Sequence, residues 1–262
     1  MSAKEHYFPN RSSLVLAVQK VIKPVQVVLD IGCGIQPQNY ITPVVHICCE
    51  PFGDYIEYLQ REIREQKKIN LIDRTYFFLN STWSEVTRYF PDRSVDTVFL
   101  LDVIEHLDKE QGRELLAWVE KIARCQIVIF TPLGFVKQEH SDGKDAWGMN
   151  GGIWQEHKSG WKPEDFDETW QTYVAERFHY ESNLGDPYSV PAGAFYAIKT
   201  ISNFGSAIKP GFHVLFWSRF YKTLNTTRML METVPFYETV RKKYRTVFPK
   251  KQKSYLRNKK DE

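Results

Sequence analysis

Apolar positions in this chain alternate between two periods. Leu14, Val18, Val21 and Ile22 recur at helical spacing and Pro24 follows, which predicts a helix over 10–22. Residues 25–30 form a β-branched apolar run that stops at Gly32-Cys33-Gly34, the pattern of a strand entering a tight loop. A second such run covers 44–50, and Ile56, Leu59 and Ile63 then return to helical spacing. Short apolar strands are predicted at 76–79, 98–101 and 126–130. Between the last two lies a helix with Leu115, Leu116, Val119 and Ile122 on its inner face. Asp108 is its expected cap and Gln111 stands at the capping-box position. Two late strands are expected at 169–178 and 193–200.

Strands alternating with helices, each strand apolar throughout, predict βαβ units around a mostly parallel sheet covered on both faces. Residues 134–165 interrupt the alternation. They are rich in Gly, Trp, His and acids, and they are too long for a plain connector, so they read as a functional loop. Trp147, Trp154 and Trp161 in this region fit either a stacking surface or core aromatics beneath the loop.

Composition narrows the class without changing this picture. The 262 residues are 42% hydrophobic and 26% charged, ordinary for a globular protein and unlike a disordered or fibrous chain. No window offers the roughly 18 apolar residues of a membrane span, and the first residues lack the apolar segment of a signal peptide, which predicts a cytoplasmic protein. Cys33, Cys48, Cys49 and Cys125 show no CxxC spacing and read as reduced, buried thiols.

Charge does change the picture. Residues 201–262 carry 14 Lys and Arg against 4 Asp and Glu, a net +10; with +3 overall, residues 1–200 are at −7. This divides the chain into an acidic body, 1–200, and a basic extension, 201–262. In the extension Val214, Trp217, Phe220, Tyr221 and Leu224 recur at helical spacing with Arg219 and Lys222 between them. Such a segment either packs on the body or lies on an anionic lipid surface. The second case predicts peripheral contact with the inner face of the membrane. Nucleic acid is the less favoured partner, because the body is acidic and lacks an aromatic-basic RNA-binding signature.

The candidate chemistry sits where the strands end. Gly32 and Gly34 let a ligand approach the backbone, and Glu50 ends the next strand twenty residues after Asp30, the place of a ribose-binding carboxylate in nucleotide-binding βαβ units. Pro37 stands where a dinucleotide fingerprint wants its third glycine, and Asp30 would repel a pyrophosphate. A cationic nucleoside without phosphate, S-adenosylmethionine, suits these residues better.

Asp30-x-Gly32-x-Gly34, Glu50 and the block Leu101-Asp102-Val103-Ile104-Glu105-His106-Leu107 resemble the class I S-adenosylmethionine-dependent methyltransferases, more narrowly the type 11 kind found with glycan and natural-product pathways. The resemblance covers roughly residues 24–200. It implies a Rossmann-like seven-stranded sheet whose last strand is antiparallel. By it, Asp30, Gly32 and Gly34 would line the methionine moiety and Glu50 would bind the ribose. Ser81 and Trp83 would border the adenine, and Leu101 and Asp102 would close the site. The expected reaction is O-methylation of a sugar hydroxyl or another small-molecule or glycan acceptor, with His106 or His157 as general base. Two alternatives stand beside it. One is a metal-dependent RNA 2′-O-methyltransferase, in which Asp102, Glu105 and His106 at i, i+3, i+4 spacing hold a divalent cation with His157. The other is a non-catalytic cofactor-binding scaffold. The favoured expectation needs no metal.

Overall fold

A computed structural model describes residues 2–68, 74–138, 140, 142–182 and 185–201. The helix predicted around Val214–Leu224, and the rest of the basic extension after Ile201, lie outside the described residues.

Among the described residues, eight strands form one sheet in the order β1-β7-β8-β6-β5-β2-β3-β4. They are β1 (Lys4–Phe8), β2 (Val27–Ile31), β3 (Val45–Cys49), β4 (Thr75–Leu79), β5 (Val95–Leu101), β6 (Ala123–Pro132), β7 (Trp170–Glu181) and β8 (Pro187–Thr200). Every pairing is parallel except those of β8, which runs antiparallel to both β6 and β7. The expected late antiparallel pair is therefore present. The sheet has eight strands where seven were expected. The extra one, β1, has the sequence Lys-Glu-His-Tyr-Phe and, among the described residues, pairs with β7 alone. A short, charged edge strand gives no apolar run to read, and that polarity is what keeps an exposed edge from pairing with other chains.

The helices lie on both faces. On one side α1 (Arg11–Val21) buries Leu14 and Val18 against Val28, Phe99 and Val128. Asn10 caps this helix, its side-chain oxygen accepting from the Ser13 amide at 3.0 Å. The helix α2 (Gly53–Lys68) sets Leu59 against Cys33 and Cys48. On the other side α4 (Lys109–Ile122) packs Leu115, Val119 and Ile122 against Leu29, Val98, Leu100, Ile127 and Ile129. The expected capping box of α4 does not form: Asp108 is the N-cap residue, but its side chain makes no cap hydrogen bond. All four cysteines are free and buried, as expected. Among the described residues no helix is long and apolar enough to cross a membrane.

Trp161 fixes the long loop to this second face. Its ring is 1% exposed, and its Nε1 donates to the Ile104 carbonyl at 3.1 Å and the Ser159 Oγ at 3.0 Å. A Cβ on Gly112 of α4 would stand 2.4 Å from that ring. In an open helix Gly→Ala gains about 0.5–1 kcal/mol. Overpacking a held ring costs about 1–3 kcal/mol, so the cost wins here. Gly112→Ala is expected to lower the urea midpoint; a raised midpoint would show that Trp161 is free to move.

Candidate active site

The strand order reverses beside β2, with β3 on one side and β5 on the other, which is where open α/β sheets bind ligands, at the carboxyl ends of the strands. The loop after β2 turns tightly. Gly32 and Gly34 have φ of +64° and +51°, values that side chains rarely adopt. Gly32 N–H donates to the Cys49 carbonyl at 2.8 Å, tying the loop to the end of β3.

Glu50 follows β3 and is buried. One carboxylate oxygen accepts from the Gly34 amide and the other from the Phe52 amide, each at 3.0 Å. Burial raises its carboxyl from an ordinary 4.5 to about 7, against the lowering effect of those two amides. Each oxygen keeps a lone pair for a ligand diol. Asn80 anchors the strand end by donating to the Glu50 and Pro51 carbonyls at 3.0 and 2.9 Å, a role its sequence position did not suggest.

Asp30 has a protein partner. Its Oδ2 accepts from the Gln38 amide at 2.7 Å and lies 3.1 Å from Nε2 of His46, which is fully buried. Burial works against charge on His46, but bonds to Asp30 and Cys48 outweigh it and raise the imidazole to about 9. The carboxylate thus holds the 31–38 loop against β3. A lone histidine in an apolar strand, on the same side as Cys48 opposite Asp30, was the available sequence signal.

Ser81 and Trp83 follow β4. The Ser81 carbonyl accepts from the Cys49 thiol at 3.4 Å, and Trp83 begins the short helix α3 (Trp83–Val86), capped by Thr82 and Glu85. Leu101 ends β5 partly buried. Asp102 comes next with φ +54°, a left-handed conformation costing about 1–3 kcal/mol in a non-glycine residue. Desolvation by the surrounding protein raises its carboxyl to about 6.

Glu105, His106 and His157 come together: one ligand atom from each lies within 4.8 Å of the others. The chain reaches this geometry by a 3-10 turn, Ile104–His106, and not by the helical turn expected for Asp102, Glu105 and His106. The long loop is pinned to the turn. The Lys158 and Ser159 amides donate to the Glu105 carbonyl at 2.7 and 3.0 Å, which sets His157 beside His106 with ring centroids 5.0 Å apart. Nδ1 of His106 meets the Glu156 carbonyl at 3.1 Å and Nδ1 of His157 meets the Val136 carbonyl at 2.5 Å. A carbonyl only accepts, so both protons sit on Nδ1 and both Nε2 lone pairs are left for chemistry. Burial lowers His106 to about 4, helped by the neighbouring His157, and burial also lowers His157. Both imidazoles are neutral at physiological pH.

Glu105 is 1% exposed. Its Oε2 accepts from the Thr131 hydroxyl at 3.0 Å, and its Oε1 is buried without a partner. Burial, followed by the charge of Asp102, pushes its carboxyl well above the ordinary range. His140, the third loop histidine, is structural: Nδ1 meets the Lys144 carbonyl at 2.6 Å and Nε2 meets the Gln138 amide at 3.2 Å. Of the three loop tryptophans, Trp161 is core, Trp154 is 44% exposed, and Trp147 lies on Gly34.

No family model matches the chain, and no curated protein matches it in sequence. Solved structures of similar fold do. A SAM-dependent methyltransferase from Archaeoglobus fulgidus aligns over 72% of this chain and 94% of its own, at 18% identity and TM-score 0.43. Magnesium protoporphyrin IX methyltransferase from Synechocystis PCC 6803, solved with bound SAM, aligns over 72% of this chain and 77% of its own, at 12% identity and TM-score 0.40. The small RNA methyltransferase HEN1 aligns over 76% of this chain but 27% of its own, at 14% identity and TM-score 0.48.

Proposed function

We propose that this protein is an S-adenosylmethionine-dependent methyltransferase acting on a hydroxyl acceptor. The observation that carries the reading is the meeting of the Gly32–Gly34 loop and Glu50 at the carboxyl edge of β2 and β3, through the bond from the Gly34 amide to Glu50. S-adenosylmethionine supplies a methyl group on a sulfonium sulfur, open to in-line displacement. The protein contributes position and proton handling. Glu50 orients the ribose, while Asp102, Leu101 and the glycine loop close the crevice around the sulfonium side. Holding the reactants aligned removes up to about 7–11 kcal/mol of barrier. With S-adenosylmethionine bound, Nε2 of His106 or His157 would take the proton of the acceptor hydroxyl as its oxygen displaces the methyl group from sulfur. Phe135 and Trp154 stand exposed on the loop that carries His157 and offer flat faces to a sugar ring. This supports a carbohydrate acceptor.

One observation favours a second reading. Two neutral imidazoles with Nδ1 held by carbonyls, beside a buried carboxylate oxygen without a partner, form a ligand set for a divalent cation. Glu105, His106 and His157 would hold the ion, and it would acidify the acceptor hydroxyl. A 2′-hydroxyl of RNA is the acceptor that goes with this reading. A screen of labelled methyl donor against oligosaccharides and RNA in parallel tests the acceptor. Label in oligosaccharide is expected; label in RNA alone would replace the sugar assignment.

A further inference from the structure

Gly34 has a close neighbour from far along the chain. The space beside its Cα is filled by protein: an added Cβ would lie 2.7 Å from the Trp147 ring. Trp147 belongs to the long loop, more than a hundred residues along the chain, and its position is firmly built. Asp145 is buried, and its two carboxylate oxygens accept four hydrogen bonds. Oδ1 takes the Trp147 and Met149 amides at 2.8 and 2.9 Å. Oδ2 takes the Gly151 amide at 3.2 Å and the Tyr55 hydroxyl at 2.5 Å. Such a carboxylate is saturated, so it organises residues 145–151 and is not itself a ligand for something else.

Tyr55 ties this loop to the cofactor side. It lies in the first turn of α2, five residues after Glu50, and its ring meets Phe52 at 4.8 Å and Trp147 at 5.1 Å, both edge-on. Phe52 is the residue whose amide holds Glu50 Oε1. Gly151 is required for the approach, because a Cβ there would stand 2.1 Å from the Tyr55 hydroxyl. The Tyr55 hydroxyl also receives Gln155 Nε2 at 3.2 Å, two residues before His157.

We propose that residues 145–151, clasped through Asp145 to Tyr55, form a wall of the cofactor site, and that the Trp147 indole seated on Gly34 retains the bound cofactor until the clasp opens. This rests on the S-adenosylmethionine reading above. Trp147 and Tyr55 are positioning residues: Trp147 covers the glycine loop, and Tyr55 makes the strand end bearing Glu50 and the loop leading to His157 move together.

The test uses the full chain and S-adenosylmethionine. Tyr55→Phe removes one hydroxyl bonded to a carboxylate, and Trp147→Ala removes the cover. Each is expected to speed cofactor release about ten- to a hundredfold, the worth of a charge-assisted bond. Trp147→Phe, which keeps an aromatic face, should restore most of the retention. In ligand-free protein, amide exchange at Trp147, Met149 and Gly151 should rise in Tyr55→Phe, which shows that the clasp, and not the fold, was loosened. If wild type binds the cofactor but both variants release it at the wild-type rate, the wall is wrong and the methyltransferase reading stands. If wild type does not bind it, the methyltransferase reading fails and the wall fails with it.

Discussion

His106→Ala and His157→Ala are each expected to lower turnover by about 10²–10⁴-fold, the usual worth of a positioned proton acceptor, while leaving affinity for S-adenosylmethionine near wild type. The split between turnover and binding follows from the geometry. One nitrogen of each imidazole lies within 4.8 Å of the other and of a Glu105 oxygen, and neither hydrogen bond from Nδ1 involves the Gly32–Gly34 loop or Glu50. The same experiment distinguishes the two readings of the cluster. Under the base reading, exhaustive chelation leaves turnover intact. Under the cation reading, chelation abolishes it, Mg²⁺ or Mn²⁺ restores it, and Glu105→Gln loses as much as either histidine variant. If both histidine variants retain full turnover, the cluster is structural.

Glu50→Ala is expected to weaken S-adenosylmethionine binding by about 10–100-fold, equivalent to about 1.5–3 kcal/mol for hydrogen bonds to a charged group. The variant also frees the Gly34 amide, so the loop loses its tie to the strand end. A pH series separates these contributions. The carboxyl of Glu50 is raised to about 7 by burial, so in the ligand-free protein it is largely protonated below that pH. Two ribose hydroxyls donate to a carboxylate, which must be ionised to accept both. Affinity is therefore expected to fall as pH drops below about 7, by up to about tenfold per unit. Glu50→Gln should flatten that dependence. Wild-type affinity that does not change between pH 5.5 and 8 would remove Glu50 from the ribose.

Much of this was legible in the sequence because both-faces-buried strands are written as apolar runs. β2, β3, β5 and β6 were all predicted within a few residues, and the loop glycines and Glu50 stand where strand ends put them. β1 was not legible, since Lys-Glu-His-Tyr-Phe offers no apolar run to read. The approach of His157 to His106 was half legible: residue types and loop length suggested it, but the pairing is made by backbone amides at Lys158 and Ser159, which carry no sequence signature. The protein partner of Asp30 was not legible for a similar reason. A strand-end acid suggests a ligand, and only the pairing of β2 with β3, which sets Cys48 opposite Asp30 and His46 diagonally beside it, reveals a protein partner. The Asp145 clasp was the least visible, because a loop aspartate that gathers three amides looks like any solvated turn residue until the chain is folded.

The most direct measurement is calorimetric titration of the full chain with S-adenosylmethionine, its demethylated product and NAD. Dissociation constants in the micromolar range are expected for the first two, with no comparable binding of NAD, because the loop lacks the third glycine of a dinucleotide fingerprint. Preferential binding of NAD, or no binding of S-adenosylmethionine by the folded wild-type protein, would overturn the assignment of this site.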